Sequence, residues 1–185
     1  MNLTLIRHGL TEGNLRRLYY GSTDIPLTET GIAALRELKA AGGYPAAERY
    51  YTSGMRRAEQ TFSLLYGDVP HEAVPDLREM DFGRFEMHSY QQLKDDPDYL
   101  AWIGGDIFAN VPPGGESSYQ MAQRALEAFR EIAATAENAV IVTHGGCIAA
   151  IMTTLFPEAR KNIYEWQPHP GHGYCLRDGG YIPIP

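Results

Sequence analysis

The chain has 185 residues, of which 44% are hydrophobic and 21% charged, and its formal net charge is -7. That length predicts one domain spanning 1–185 with a substantial core, and the negative balance offers no basic face to nucleic acid or an acidic membrane. The longest apolar runs fall short of a bilayer span, no leader precedes the first of them, and the two cysteines (Cys147, Cys175) give neither a disulfide framework nor metal spacing, so a cytoplasmic protein with reduced thiols is expected.

Leu3, Leu5 and Ile6 predict a short buried strand that stops at Arg7-His8-Gly9, with Thr11 and Asn14 close behind. Ligands of α/β proteins collect beyond the carboxyl ends of parallel strands, which places Arg7 and His8 where chemistry is usually done. A turn-rich loop, Tyr20 to Pro26, precedes a helix capped by Thr28, with Ile32, Leu35 and Leu38 on its buried stripe and Gly42-Gly43 at its end. Arg49 to Ser53 reads as a strand, Gly54 to Tyr66 as a helix with Phe62, Leu64 and Leu65 toward the sheet, and His71 to Val74 as a further strand. Leu77 to Met87 suits a loop near a site. The aromatic and proline content of His88 to Pro113 suggests short helices, so about 80–115 is expected to form an excursion covering the pocket.

Gly114 to Ser118 opens a long helix whose apolar face is predicted as Tyr119, Ala122, Leu126, Phe129 and Ile132. Ala139 to Gly146 then repeats the opening device, an apolar strand ending in His144-Gly145-Gly146. The next helix carries Ile148, Ile151, Met152 and Leu155 on one side and stops at Pro157. The tail alternates around Asp178-Gly179-Gly180, as an edge hairpin does. Strands alternating with helices predict a three-layer α/β/α fold around a mostly parallel sheet. No oligomeric interface is read from the sequence.

Two strand-to-His-Gly junctions suggest two imidazoles meeting over one ligand. Arg7 and Arg57 offer planar forks that match phosphate oxygens. The glycines after each His allow close backbone approach and leave amide donors at a helix start. A neutral imidazole attacks phosphorus without a metal, and Glu79 can supply a proton to a departing oxygen where its surroundings keep it protonated. Each residue also has an ordinary use: Asn14 can cap a helix, Glu79 can hold Arg78, Glu116 and Ser117 can start a helix, and Cys147 can be a small buried hydrophobe. Arg16, Arg17 and Arg56 read as solvated charges. His169 and His172 lie in a Pro-Gly loop without metal-ligand spacing and read as pocket rim. Tyr19, Tyr20, Tyr90, Tyr99 and Trp102 either line the pocket or pack in a core.

The strings Arg7-His8-Gly9-x-Thr11-x-x-Asn14, Pro26-Leu27-Thr28-x-x-Gly31, Ser53-x-x-x-Arg57-Ala58-x-Gln60-Thr61, Leu77-Arg78-Glu79 with Phe82-Gly83, Gly115-Glu116-Ser117 and His144-Gly145 together resemble the histidine phosphatase superfamily, in its phosphoglycerate-mutase-like branch. The resemblance spans nearly the whole chain and implies a phosphoglycerate-mutase-like fold and a phosphohistidine mechanism with no metal or cofactor. It implies that His8 attacks phosphorus, that Arg7, Arg57 and His144 surround the phosphoryl oxygens with help from Asn14 and Gly145, and that Glu79 donates the proton. Turnover would then be faster on the acidic side of neutrality. The substrate would be a small-molecule phosphate ester. The chain lacks room for the extra segments of glycolytic mutases, which favours hydrolysis; a phosphomutase and a catalytically silent phosphate-binding domain are the alternatives. Met87, Trp102 and Pro113 to Ser117 are similar to α-ribazole phosphatases, although many of the family's phosphatases carry Trp where this chain has Phe85 and Gly where it has Met87.

Overall fold

A computed structural model describes residues 2–185. In chain order the elements are β1 (Asn2–Arg7), α1 (Glu12–Leu15), β2 (Leu18–Tyr19), α2 (Glu29–Ala41), β3 (Arg49–Thr52), α3 (Arg56–Tyr66), β4 (Glu72–Ala73), β5 (His88–Ser89), α4 (Tyr90–Leu93), α5 (Pro97–Ile103), α6 (Ser118–Thr135), β6 (Asn138–Thr143), α7 (Gly145–Leu155), β7 (Gly173–Arg177) and β8 (Gly180–Ile184). The main sheet runs β4-β3-β6-β1-β7-β8; β4, β3, β6 and β1 are mutually parallel, and β7 and β8 complete one edge antiparallel. β2 and β5 form a separate antiparallel pair.

Alternation along the central strands explains the layers. Leu3, Leu5, Ala139 and Ile141 point to the face covered by α6 and α7, where Phe129, Ile132, Ile148 and Ile151 meet them. Ile6, Val140 and Val142 point to the opposite face and pack on Leu35 of α2 and Ala58, Phe62 and Leu65 of α3. Strands buried on both faces read as continuous apolar runs, which is how β1 and β6 appear in the sequence. The mostly parallel α/β/α expectation is therefore met.

Local chemistry sets the boundaries. Thr28 caps α2 by accepting from Gly31 N–H, and Gly42, at φ 85°, ends it. Ser117 and Gln120 form a reciprocal capping box at the start of α6. Asp178 and Gly179, both at positive φ (52° and 73°), make the tight turn between β7 and β8. The predicted strand at His71 to Val74 shrinks to a two-residue ladder beside β3. Leu155 is 41% exposed rather than packed, because α7 is buried from Cys147 to Met152 and its last turn leaves the core.

The face of α6 also differs from its predicted stripe. Phe129 and Ile132 are buried as expected, but Met121 and Ala125 replace Tyr119 and Ala122 in the first turns, and Tyr119 is 58% exposed. The first half of this helix packs not on the sheet but on a third cluster with Phe85, Leu93, Tyr99, Trp102 and Cys147. That cluster draws most of its side chains from residues 80–102, within the stretch expected to form the excursion.

The loop leading into β7 fastens the end of β1: Arg7 N–H donates to His172 carbonyl (2.9 Å), and Gly171 N–H donates to Arg7 carbonyl (3.0 Å). The strands approach so closely at Gly173 that a Cβ there would lie 1.8 Å from Leu5 carbonyl oxygen. Gly173→Ala should cost about 1–3 kcal/mol by overpacking. Urea unfolding would show this as a lower midpoint at unchanged slope, and an unchanged midpoint would contradict the packing account.

Candidate active site

The site begins with register. β1 and β6 are parallel neighbours with Arg7 opposite Thr143, so the chain leaves both strands at the same level and turns into His8 and His144. His8 N–H donates to Thr143 carbonyl (2.9 Å), and the two imidazole centroids stand 5.1 Å apart. Both residues are buried, His8 at 3% exposure and His144 at 0%.

The hydrogen bonds assign the tautomers. His8 Nδ1 lies 2.7 Å from Gly9 carbonyl oxygen, which can only accept, so Nδ1 carries the proton and Nε2 carries the lone pair of the neutral ring. Burial, then the charges of Arg57 and Arg7, hold the His8 pKa well below 6.5 against the opposing Gly9 bond. Loss of solvent is the largest of these causes. At His144, Nδ1 accepts from Arg57 Nε (3.3 Å), which leaves Nε2 to donate to Ser53 Oγ (2.8 Å). Burial and then Arg57, His8, Arg7 and Arg124 depress its pKa well below 6.5 too.

Arg57, near the start of α3, is wholly buried. Its Nη2 donates to Gly21 carbonyl (2.7 Å) and Nη1 to Thr23 carbonyl (3.0 Å), while the guanidinium carbon stands 5.1 Å from the centroid of the Tyr20 ring. Among the described residues, no carboxylate comes within ion-pairing distance of it. Burial draws its pKa below the ordinary value, yet a guanidinium stays charged in proteins. Arg7 donates from Nη1 to Pro168 carbonyl (2.8 Å), and its buried Nε has no partner. Two cations, one without a carboxylate partner among the described residues and the other with an orphan donor, make a candidate anion site.

Glu79 reaches the site from the loop after a tight turn at Pro75–Leu77. Its Oε2 accepts from Gly146 N–H (2.9 Å), in the first turn of α7, and Oε1 accepts from Met80 N–H (3.0 Å). A Cβ on Gly146 would lie 2.3 Å from Glu79 Oε1, so only glycine admits the carboxyl group. Gly145 serves a different neighbour: its Cβ would stand 3.2 Å from Arg7 Cζ. Gly9 has its N–H taken by Thr61 Oγ1 (2.9 Å), and a Cβ there would press on Leu35. These glycines make room for protein side chains, whereas the sequence suggested that they make room for a ligand.

Arg7, His8, Asn14, Arg57, Glu79 and Gly146 all line one cavity of about 390 Å³. Asn14 also accepts at Oδ1 from Thr11 N–H and Oγ1–H (both 3.0 Å), so it caps α1 while facing the pocket. His144 and Gly145 lie behind this wall, with His144 touching the pocket through Arg57 and His8. Tyr19, Tyr20, Phe82 and Trp102 line the cavity, while Tyr99 is buried in the excursion's core and Tyr90 is 52% exposed. Arg16, Arg17 and Arg56 are exposed. His169 and His172 stack edge to face at 6.0 Å in the loop before β7, and Cys147 is a buried free thiol.

Residues 3–177 match the histidine phosphatase superfamily (branch 1). The chain belongs to that superfamily. Among its relatives, the adenosylcobalamin/alpha-ribazole phosphatase of Salmonella typhimurium is 32% identical over 178 residues, covering 92% of this chain and 87% of the relative. A 2,3-bisphosphoglycerate-dependent phosphoglycerate mutase of Xanthobacter autotrophicus is 31% identical, with 91% and 87% covered. The crystal structure of the alpha-ribazole phosphatase from Shigella flexneri superimposes with a TM-score of 0.84 at 27% identity, covering 98% of this chain and 94% of that one. The protein is a phosphatase of this superfamily.

Departures from the histidine phosphatase pattern have physical readings. Met87 sits at φ 61°, a left-handed conformation that suits the glycine many of the family's phosphatases carry there. Phe85, in place of Trp, is fully buried and packs on Trp102, centroid to centroid 5.5 Å. Two supporting residues escaped the sequence reading. Arg124 forms a bidentate pair with Glu116 and donates to the carbonyls of Asp76 (2.8 Å), Arg78 (2.6 Å) and Glu79 (3.0 Å), which holds the Glu79 loop. Glu86 gathers amides of the loop beneath Arg57. Both look like surface charges in the sequence.

With both pKa values depressed, the two histidines of this histidine phosphatase should be neutral in the free protein at about pH 6.5, where an unperturbed imidazole is half protonated. Nitrogen NMR should show His8 protonated at Nδ1 and His144 at Nε2; an imidazolium on either ring would contradict the burial argument.

Proposed function

We propose that the protein hydrolyses a small phosphomonoester through a phosphohistidine on His8, without a metal, as a single domain whose 80–115 excursion covers the pocket. The supporting observation is the buried His8, its pKa held well below the ordinary imidazole value and its Nδ1 bonded to Gly9 carbonyl, beside two cations that have no carboxylate within ion-pairing distance among the described residues. In the first step Nε2 of His8 attacks phosphorus, the P–O bond to the alcohol breaks, and the Glu79 carboxyl group protonates the leaving oxygen. In the second step the Glu79 carboxylate takes a proton from water, whose oxygen attacks phosphorus; the P–N bond breaks, releasing inorganic phosphate and restoring neutral His8. Arg7 and Arg57 offset charge on the equatorial oxygens, the principal demand of phosphoryl transfer. Asn14 assists at the pocket wall. His144 supports Arg57 through the Nε–H···Nδ1 bond, and Gly145 leaves space for Arg7.

For substrate we favour α-ribazole phosphate, supported by the similarity to the Salmonella and Shigella phosphatases and by the aromatic wall of Tyr19, Phe82 and Trp102. The likeness to phosphoglycerate mutases keeps transfer to a second alcohol as the other reading. We place the protein in the cytoplasm, a setting compatible with its two free thiols; no helix among the described residues is long and apolar enough to cross a membrane.

Hydrolysis of an aryl phosphate in EDTA should proceed in the wild type and disappear in His8→Ala. Full activity in that variant would remove the nucleophile assignment, and acid-labile label on the protein without net phosphate release would indicate transfer instead. Glu79→Gln should slow esters of alkyl alcohols by about 10²–10⁴-fold, the usual worth of a general acid. In single-turnover release of the alcohol, which isolates the first step from the shared Glu79-assisted hydrolysis, it should spare a nitrophenyl ester far more, because nitrophenolate leaves without a proton. Equal losses of that first release on both esters would remove Glu79 from the acid role.

A further inference from the structure

Glu86 lies outside the catalytic wall, yet its carboxylate accepts five hydrogen bonds. Oε1 takes N–H from Gly21 (2.8 Å), Ser22 (3.1 Å) and Phe82 (3.0 Å); Oε2 takes Thr23 N–H (3.1 Å) and Thr23 Oγ1–H (2.5 Å). A carboxylate has about four lone-pair sites, so this one is saturated. The far sides of two of the same residues hold Arg57: Gly21 carbonyl accepts from Nη2 and Thr23 carbonyl from Nη1. The Gly21–Thr23 loop therefore lies between an anion gripping its amides and a cation gripping its carbonyls. The loop has little freedom to settle elsewhere, because a Cβ on Gly21 would fall 1.6 Å from Met80 carbonyl oxygen and Ser22 Oγ–H already donates to Asp81 (2.9 Å).

We propose that Glu86 is the positioning residue for Arg57: by fixing the Gly21–Thr23 loop it sets where the guanidinium points its remaining N–H groups, and so sets the grip on the phosphoryl oxygens. A carboxylate bound to a peptide's N–H polarises that peptide and strengthens its carbonyl as an acceptor, and the Gly21–Ser22 peptide does this directly, with its N–H on Glu86 and its C=O on Arg57; the bonds to Thr23 act by fixing the loop. The inference rests on Arg57 being a phosphoryl-binding group. An uncharged amide at this position keeps the shape but turns one end into a donor facing donors.

The test compares wild type, Glu86→Gln, Arg57→Met and the double variant by calorimetric titration with inorganic phosphate, alongside the nitrogen NMR signals of the Arg57 guanidinium. Glu86→Gln should weaken phosphate binding about tenfold, a typical loss for hydrogen bonds to a charged group. It should also average Arg57 Nη signals that are distinct in the wild type, and add nothing in the Arg57→Met background. Thr23→Val, which deletes only the Oγ1 bond, should shift both readouts the same way by less, and serves where Glu86→Gln does not fold. Unchanged affinity and unchanged Arg57 signals, with only a lower melting temperature, would make Glu86 a loop staple and overturn the proposal. A wild type that binds no phosphate, while its Arg57 signals still respond to Glu86→Gln, would overturn the phosphohistidine reading and support the positioning role.

Discussion

A guanidinium removed from water is costly unless its charge is answered, and Arg57 is removed entirely. The protein answers it with two carbonyls, an imidazole nitrogen and an aromatic face rather than with a carboxylate. Dipoles of this kind hold a cation in place without neutralising it, so its field stays available to an incoming anion. The same field, with that of Arg7 and the loss of solvent, keeps protons off both histidines. In the proposed mechanism, nucleophile readiness and anion affinity therefore share one cause.

Preserving that unneutralised charge requires the surrounding backbone to be rigid. Glu86 collects amides on one side of the pocket, and Arg124 with Glu116 collects carbonyls on the other. Thr143 Oγ–H adds a bond to Leu77 carbonyl (2.6 Å), tying the end of β6 to the turn that leads to Glu79. The groups proposed to meet the phosphoryl oxygens are thus carried by sheet ends and helix starts, while charged side chains farther out brace the loops between them.

The legible parts of this arrangement were those encoded locally. Apolar runs ending in His-Gly at residues 8 and 144 predicted two adjacent strand ends, and β1 and β6 do lie side by side. Thr28, Ser117 and the Asp178-Gly179 turn act as their residue types suggest. What was not legible depends on partners distant in sequence. Glu86 finds its amides 63 and 65 residues upstream, and Arg124 its carbonyls 45 to 48 residues upstream; no periodicity marks such pairings. His144 read as a pocket residue because its motif is shared with His8. Its ring turns inward because Ser53 and Arg57 claim both nitrogens. The apolar stripe of α6 was misplaced in its first turns because the sequence suggests burial but does not say against which neighbour.

The cavity is divided by origin. The end proposed to hold phosphate is built from the sheet's carboxyl edge and α3, whereas Phe82, Trp102, Ile107 and Phe108, from residues 80–115, line the other end with Ile163 and Tyr164 among others. Almost none of the hydrogen bonds that aim Arg57 or protect His8 pass through that second set. Drift at Trp102, Ile107 and Phe108 could therefore retune which alcohol is accepted while Glu86, in the same excursion, keeps the proposed reaction centre fixed, a modularity that would let one scaffold diversify across many esters.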